Sequence, residues 1–395
     1  MGIILAALTS AGCGSLPAKA PNVSPSVSAG SSPSPSAGAR LSGQPIDTTV
    51  ICKSPPPAGH RLLLLSRASS AEPALVVLDV ADPLKPTQIC SISNANGGRF
   101  ISASRIVFWS GQELGLADLA LGAAVGTGTL PALPSDAAFS PDGSMFAYHV
   151  GSDTNGMSTH LNAAGVDRTL LTRPAIGGHG GAPSGPATQL EFSADARHLL
   201  SVDSLFANFG SGPPNFLIYR TDGSIAFQSS QAEYGAWGPS GSKLYFFAST
   251  VRGAIAGDVH SWDPSAGEGT VAQAVSSYFW PHVAPDGRAI LFDSYDKSAS
   301  GEATGGLPHL WRLDLGTGTR MQLSAAISSR TVFVGDSVVW ADQEQRCSCG
   351  PGGASAPTGE VLAHDLVNGQ DTLLDLTPFT ASPSPVSGVL AVWSS

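Results

Sequence analysis

The chain has 395 residues, 42% of them hydrophobic and 13% charged, with a net charge of −10. That length and apolar share allow one large domain or two ordinary ones, and the acidic balance excludes the basic footprint that nucleic-acid binding needs. The 46 glycines and 30 prolines fit many strands joined by tight turns better than they fit helices.

The chain opens on an apolar stretch, Gly2 to Leu8, followed by Ser10-Ala11-Gly12-Cys13. This resembles a bacterial lipoprotein signal, in which a peptidase cuts before a cysteine that receives a diacylglycerol. The resemblance implies acylation at Cys13 and residence on the outer face of the cytoplasmic membrane, or secretion. From Ser15 to about Gly43 nearly every residue is Ser, Pro, Ala or Gly, a composition that cannot bury a core and reads as an extended tether. No run of 18 or more apolar residues occurs along the chain.

Beyond the tether the chain repeats itself. Ala138-Phe139-Ser140-Pro141-Asp142-Gly143 precedes the apolar run Met145 to Tyr148, and Pro281 to Gly287 precedes Ala289 to Phe292. Looser copies stand at Ala236 to Gly241 and Glu191 to Ala196. Each is an apolar strand, a tight Pro/Asp/Gly turn and a second strand, here A and B. A second sentence supplies strands C and D. It reads Leu310-Trp311-Arg312-Leu313-Asp314-Leu315-Gly316, then Arg320 to Leu323, with copies at Phe216 to Gly223 and Leu362 to Gly369. A–B pairs centre near Ser104, Pro141, Asp195, Ser240, Asp286, Gly335 and Val386; C–D pairs centre near Asp82, Gly122, Gly165, Asp222, Ser265, Gly316 and Asn368.

Seven of each predict an all-β fold, a seven-bladed β-propeller of four-stranded blades in which C-terminal strands complete the blade begun by N-terminal ones. Arg61 to Ser66 also reads as a B strand and competes with Val389 to Trp393 for one slot, so eight or six blades stand as alternatives. The expected organisation is 1–12 signal segment, 13–45 lipidated cysteine and tether, and 46–395 propeller. The turns resemble those of the TolB-like propellers, whose blades carry Phe/Trp-Ser-Pro-Asp-Gly before an apolar strand, more loosely those of WD-repeat proteins. The resemblance implies a scaffolding propeller of the cell envelope without catalysis of its own.

Candidate functional residues are few. Asp142-Gly143 and Asp286-Gly287 read as turn chemistry, with Asp capping its own backbone and Gly taking positive φ. Cys52, Cys90, Cys347 and Cys349 permit three pairings, which the sequence leaves open, and read as disulfide cysteines rather than metal ligands. Long B–C and D–A loops span Thr172 to Ala187, Asp203 to Pro214, Ser294 to Pro308 and Asp342 to Gly359. They place Phe206, Phe209, Tyr295, Asp296, Lys297, Glu344 and Arg346 on one face as candidate partner contacts. His260, His309 and His364 fall in C strands of different blades and His149 ends a B strand, too dispersed for one metal.

Ile176-Gly177-Gly178-His179 has no G-x-S-x-G elbow to serve, and no P-loop or zinc-protease helix occurs. The A strands offer Phe139, Phe192, Trp237, Val283 and Phe333, with few polar residues beside them, against the inward charges of a propeller enzyme. The sequence therefore predicts a monomeric, cofactor-free envelope lipoprotein without a metal, anchored to the membrane through Cys13. It would bind an envelope protein or cell-wall component through its long-loop face. The alternative is an enzyme or small-molecule sensor with its site at the mouth of the central channel.

Overall fold

A computed structural model describes residues 41, 43–67, 73–152, 156–174, 188–203, 215–248, 256–276, 281–295, 307–334, 337–346, 355–380, 382 and 384–393. Cys13 and the tether, the loop residues Phe206, Phe209, Asp296 and Lys297, and Cys347 and Cys349 lie outside them.

Strands run in chain order. The first blade contains β1 (Val50–Cys52), β2 (Leu62–Arg67), β3 (Ala74–Asp79) and β4 (Thr87–Ser93). The second is β5 (Gly97–Ser102), β6 (Arg105–Ser110), β7 (Glu113–Asp118) and β8 (Ala123–Thr129); the third is β9 (Asp136–Phe139), β10 (Met145–Ser152), β11 (Gly156–Ala163) and β12 (Val166–Arg173). The fourth is β13 (Thr188–Phe192), β14 (His198–Asp203), β15 (Phe216–Arg220) and β16 (Ile225–Ser229); the fifth is β17 (Ala232–Trp237), β18 (Leu244–Ala248), β19 (Ala256–Asp263) and β20 (Gly267–Ser276). The sixth is β21 (His282–Val283), β22 (Ala289–Tyr295), β23 (Pro308–Asp314) and β24 (Arg320–Gln322); the seventh is β25 (Ser328–Phe333), β26 (Val338–Arg346), β27 (Ser355–Asp365) and β28 (Asp371–Asp375). After a short 3-10 turn at Pro385–Gly388, β29 (Val389–Trp393) ends the series.

The described sheets are antiparallel and seven in number; six are four-stranded meanders and the first has the order β1-β4-β3-β2-β29. The fold is the seven-bladed β-propeller. The competition between Arg61 to Ser66 and Val389 to Trp393 dissolves, because they fill different slots. Strand β29 pairs with β2 from Leu62↔Trp393 to Leu65↔Val389 and is the inner strand of the first blade. The expected A–B pair around Val386 is therefore a single A strand whose partner comes from the other end of the domain. That closure pairs an edge of β2 that a linear array would leave open.

Apolar packing follows the ring. Seven hydrophobic clusters sit one between each pair of neighbouring blades, including one in which Leu63 and Leu65 of the first blade meet Trp340 and Val361 of the seventh. A blade packed on both faces needs apolar residues at successive positions, not alternate ones. Hence Leu62, Leu63, Leu64 and Leu65 are all fully buried.

Strand β1 is an addition to the four-stranded plan. It covers β4 on the rim, where Cys52 lies opposite Cys90 and the two form a disulfide. Upstream, Gln44 bridges to Gly126 of β8, so residues 44–52 strap the rims of two adjacent blades. The expected loop from Asp342 to Gly359 is shorter than the sequence implied. Strands β26 and β27 continue into it through a bulge, with Arg346 opposite Ser355, because polar side chains do not stop a ladder whose backbone groups remain paired.

Candidate functional site in the central channel

Each inner strand pairs with a neighbour on one side only, so its other edge faces the ring axis. Around that axis lies a cavity of about 530 Å³, lined by residues of β5, β9, β13, β17, β21 and β29. Apolar walls come from Phe139, Phe192, Trp237 and Val283, the A-strand residues picked out in the sequence. Among them stand Arg99, Asp136, Gln189, Glu191 and His282. The channel is thus far more polar than the sequence predicted. The signal that was missed is two-residue alternation in the short A strands. Gln189 and Glu191 flank Leu190, and Arg99 follows two glycines, so the polar residues hide beside the conspicuous aromatic anchors.

The polar residues are held in place. Gln189 bonds both backbone groups of Gly235 on the next blade: its Nε2 donates to the carbonyl at 2.8 Å and its Oε1 accepts from the N–H at 3.3 Å. The same Nε2 donates to Glu191 Oε2 at 3.2 Å. Trp237 Nε1 donates to the Glu191 carbonyl at 3.1 Å, a second tie between these blades. Loss of water in the cavity pushes the Glu191 carboxyl up to about 7; Arg99, the Gln189 side chain and the Trp237 backbone pull it back down. The Arg99 guanidinium is itself pushed below its ordinary value by desolvation, partly offset by the field of Glu191. His282 is driven down to about 4 by burial and is neutral at pH 7.

Beside the cavity, Asp136, His149 and Ser201 stand in the order of a nucleophilic relay. His149 Nδ1 lies 3.9 Å from Asp136 Oδ2 and its Nε2 lies 3.4 Å from Ser201 Oγ. Both separations exceed the roughly 2.6–3.2 Å reach of a general-base relay. His149 and Ser201 are also buried between the third and fourth blades and do not line the cavity. This set joins blades.

The other residues singled out in the sequence occupy structural positions. Asp142 Oδ1 accepts from Ser140 Oγ at 2.6 Å and from the Ser144 N–H at 3.1 Å, while Gly143 sits at φ 72°. Asp286 Oδ1 accepts from the Arg288 N–H at 2.9 Å, with Gly287 at φ 70°. Tyr295 and Arg346 end β22 and β26, and Glu344 accepts a bond from Ser329 Oγ within the seventh blade. Of the C-strand histidines, His260 and His364 bond outward within their own blades, to Glu268 and Asp371, each at 2.7 Å, and His309 contacts the Ala326 carbonyl at 2.9 Å. Among the described residues no group of three or more His, Cys, Asp or Glu side chains could hold a metal ion.

Fold and site together define a seven-bladed β-propeller with a charged central cavity. No protein-family model and no curated protein matches the chain. Among solved structures, an oligogalacturonate lyase in complex with manganese is similar with a TM-score of 0.50 and 15% identity, over 83% of this chain and 89% of that one. TolB from Acinetobacter baumannii matches with a TM-score of 0.39 and 15% identity, over 69% of this chain and 66% of that one. The tricorn protease matches with a TM-score of 0.48 and 11% identity, over 86% of this chain and 37% of that one. At such identities the likeness is one of fold, and function has to be argued from the site.

Proposed function

We propose that this protein is an exported, non-catalytic recognition propeller that binds a small polar ligand in its central channel. The observation that carries the reading is the cavity of about 530 Å³, in which apolar walls surround Arg99, Glu191 and His282. A concavity of some hundreds of Å³ that sets a few fixed polar groups among aromatic walls has the form of a ligand site, and one this polar suits a polar ligand. Rigid blades fix its walls, and Gln189 fixes Glu191 relative to the next blade. Binding is favoured over turnover because, among the described residues, neither relay-like set brings its serine to the cavity. Ser201 of the set Asp136, His149 and Ser201, and Ser158 of the set Asp167, His160 and Ser158, the latter bonded at 2.9 and 2.8 Å, both lie off its lining.

Export rests on the Cys52–Cys90 disulfide, which suits an oxidising compartment, together with the segment ending in Cys13 and the tether behind it. Acylation of Cys13 would hold the propeller at the membrane surface.

The test is a thermal-shift screen of a metabolite library, with hits repeated on Leu390→Trp. Leu390 is bulged out of the β2 pairing, lines the cavity and is 38% exposed, so a larger ring there fills the lumen without displacing core. Ligand at 100 times its Kd stabilises by about 2.7 kcal/mol. Hits that shift the wild type and leave Leu390→Trp unmoved support the reading. A screen without hits, or hits indifferent to the substitution, would overturn it.

A further inference from the structure

Arg99 and Glu191, opposite charges on the channel wall, do not satisfy one another. Glu191 takes its direct side-chain bond from Gln189, and among the described residues no hydrogen bond or ion pair engages the Arg99 guanidinium. An arginine and a carboxylate placed for stability alone close to hydrogen-bonding distance, often as a bidentate pair. Here they sit on β5 and β13, two blades apart, on the wall of one cavity and within each other's field. Holding a partly desolvated guanidinium on a cavity wall without a direct partner costs stability unless water or a ligand meets it.

We infer that the channel takes a small zwitterion, whose carboxylate meets Arg99 and whose ammonium meets Glu191. A free peptide of two or three residues, or an amino acid, has that chemistry. Arg99 presents the planar fork that matches a carboxylate bidentately. Glu191 supplies an acceptor with one oxygen bonded to Gln189, and the aromatic walls at Phe139 and Trp237 suit an intervening apolar body. The inference rests on the ligand-binding reading above and names the ligand class for the same site.

Burial of Glu191 adds a pH signature. Its carboxyl is half ionised near pH 7, and only the ionised form attracts an ammonium. Among the described residues the other charged and titratable groups facing the lumen are Arg99 on β5, Asp136 on β9 and His282 on β21, and His282 titrates near 4, below the window of interest. Affinity for a free peptide therefore rises from about pH 6 to about pH 7.5, above which the ligand's own ammonium begins to lose its proton.

The experiment is titration calorimetry on the full propeller. It uses a library of free dipeptides, their C-amidated and N-acetylated forms, and a control panel of neutral sugars and nucleosides. Wild type, Arg99→Met and Glu191→Gln are compared. The expected result is saturable binding of a free dipeptide that weakens about tenfold or more on amidation or in Arg99→Met, as for loss of one charge-assisted pair. The two losses should not add, because both remove the same contact. N-acetylation and Glu191→Gln should show the same coupling, and Glu191→Gln should abolish the rise in affinity between about pH 6 and pH 7.5. Amides binding as well as free acids in the wild type would overturn the inference, whatever the fate of either variant. Binding of neutral compounds alone, blocked by Leu390→Trp, would overturn it and leave the channel reading standing. Silence across every panel would overturn both.

Discussion

Asp293 on β22 is fully buried between the sixth and seventh blades. Its Oδ2 accepts the backbone N–H of Arg330 at 2.6 Å, and Arg330 is a bulge residue with φ 55°. Burial pushes the Asp293 carboxyl up to about 8; the Arg330 N–H opposes the rise, and Glu344 and Asp342 add to it. The folded state thus keeps the proton to about pH 8, whereas an unfolded chain releases it near 4. The contribution to stability is full below about pH 4 and is lost as pH climbs through about 8. Asp293→Asn copies the protonated form and can still accept from Arg330. It should match the wild-type Tm at or below about pH 4 and exceed it increasingly as pH climbs, at pH 8.5 by about 2 °C or more. A Tm difference that stays constant across that range would refute the assignment.

At the level of elements, the recurring turn has a division of labour that its sequence shows in part. Ser140 and Ser193 each receive the N–H that follows the turn, from Met145 and His198 at 2.9 Å, and each donates to the turn's own Asp at 2.6 Å. Local bonds of this kind depend on residues within six positions, so Ser-Pro-Asp-Gly is readable as a hairpin wherever it occurs. The looser copy at Glu191 to Ala196 folds the same way, with Ala196 at φ 57° where the other turns have glycine. Whether such a turn also touches its neighbour is not local. A Cβ on Gly241 would fall 2.4 Å from the Asp195 backbone nitrogen of the adjacent blade, while one on Gly369 would meet nothing within 4 Å. Both glycines sit near φ 70°. Gly369→Ala should therefore cost only the left-handed strain, about 1 kcal/mol. Gly241→Ala adds a backbone clash and should cost clearly more, about 3 kcal/mol in total. Denaturant unfolding of the two variants distinguishes them, and equal losses would contradict the packing of adjacent turns.

For the molecule as a whole, stability depends on joining the ends. Strand β29 fills the inner position of the first blade, and the N–H of Val386 just before it donates to the buried Asp342 Oδ1 of the seventh at 2.8 Å. On the rim the Cys52–Cys90 disulfide closes a separation of 38 residues. Constraining a loop of that length in the unfolded chain contributes about 4 kcal/mol in the chain-entropy account. The double variant Cys52→Ala/Cys90→Ala should unfold at lower denaturant by an amount corresponding to about 2–4 kcal/mol. A midpoint unmoved by the substitution would show that the strap contributes nothing.

What the sequence determined by itself is the set of properties fixed by near neighbours: the strands, their turns, the period of the repeat and so the propeller. Met145 to Tyr148 is apolar throughout because a blade is buried on both faces, and that pattern survives in a linear reading. Tertiary structure alone decided how Leu62 and Val389 share a blade, which cysteines meet, and what the channel contains. Arg99 and Glu191 are 92 positions apart and belong to unremarkable short strands. Only ring closure brings their strand edges to a common axis, sets them on the wall of one cavity and gives them a shared field. The residues expected on the long loops carry no periodic or turn-specific signal that assigns a partner. The charges of the channel carry such information only once the blades have converged.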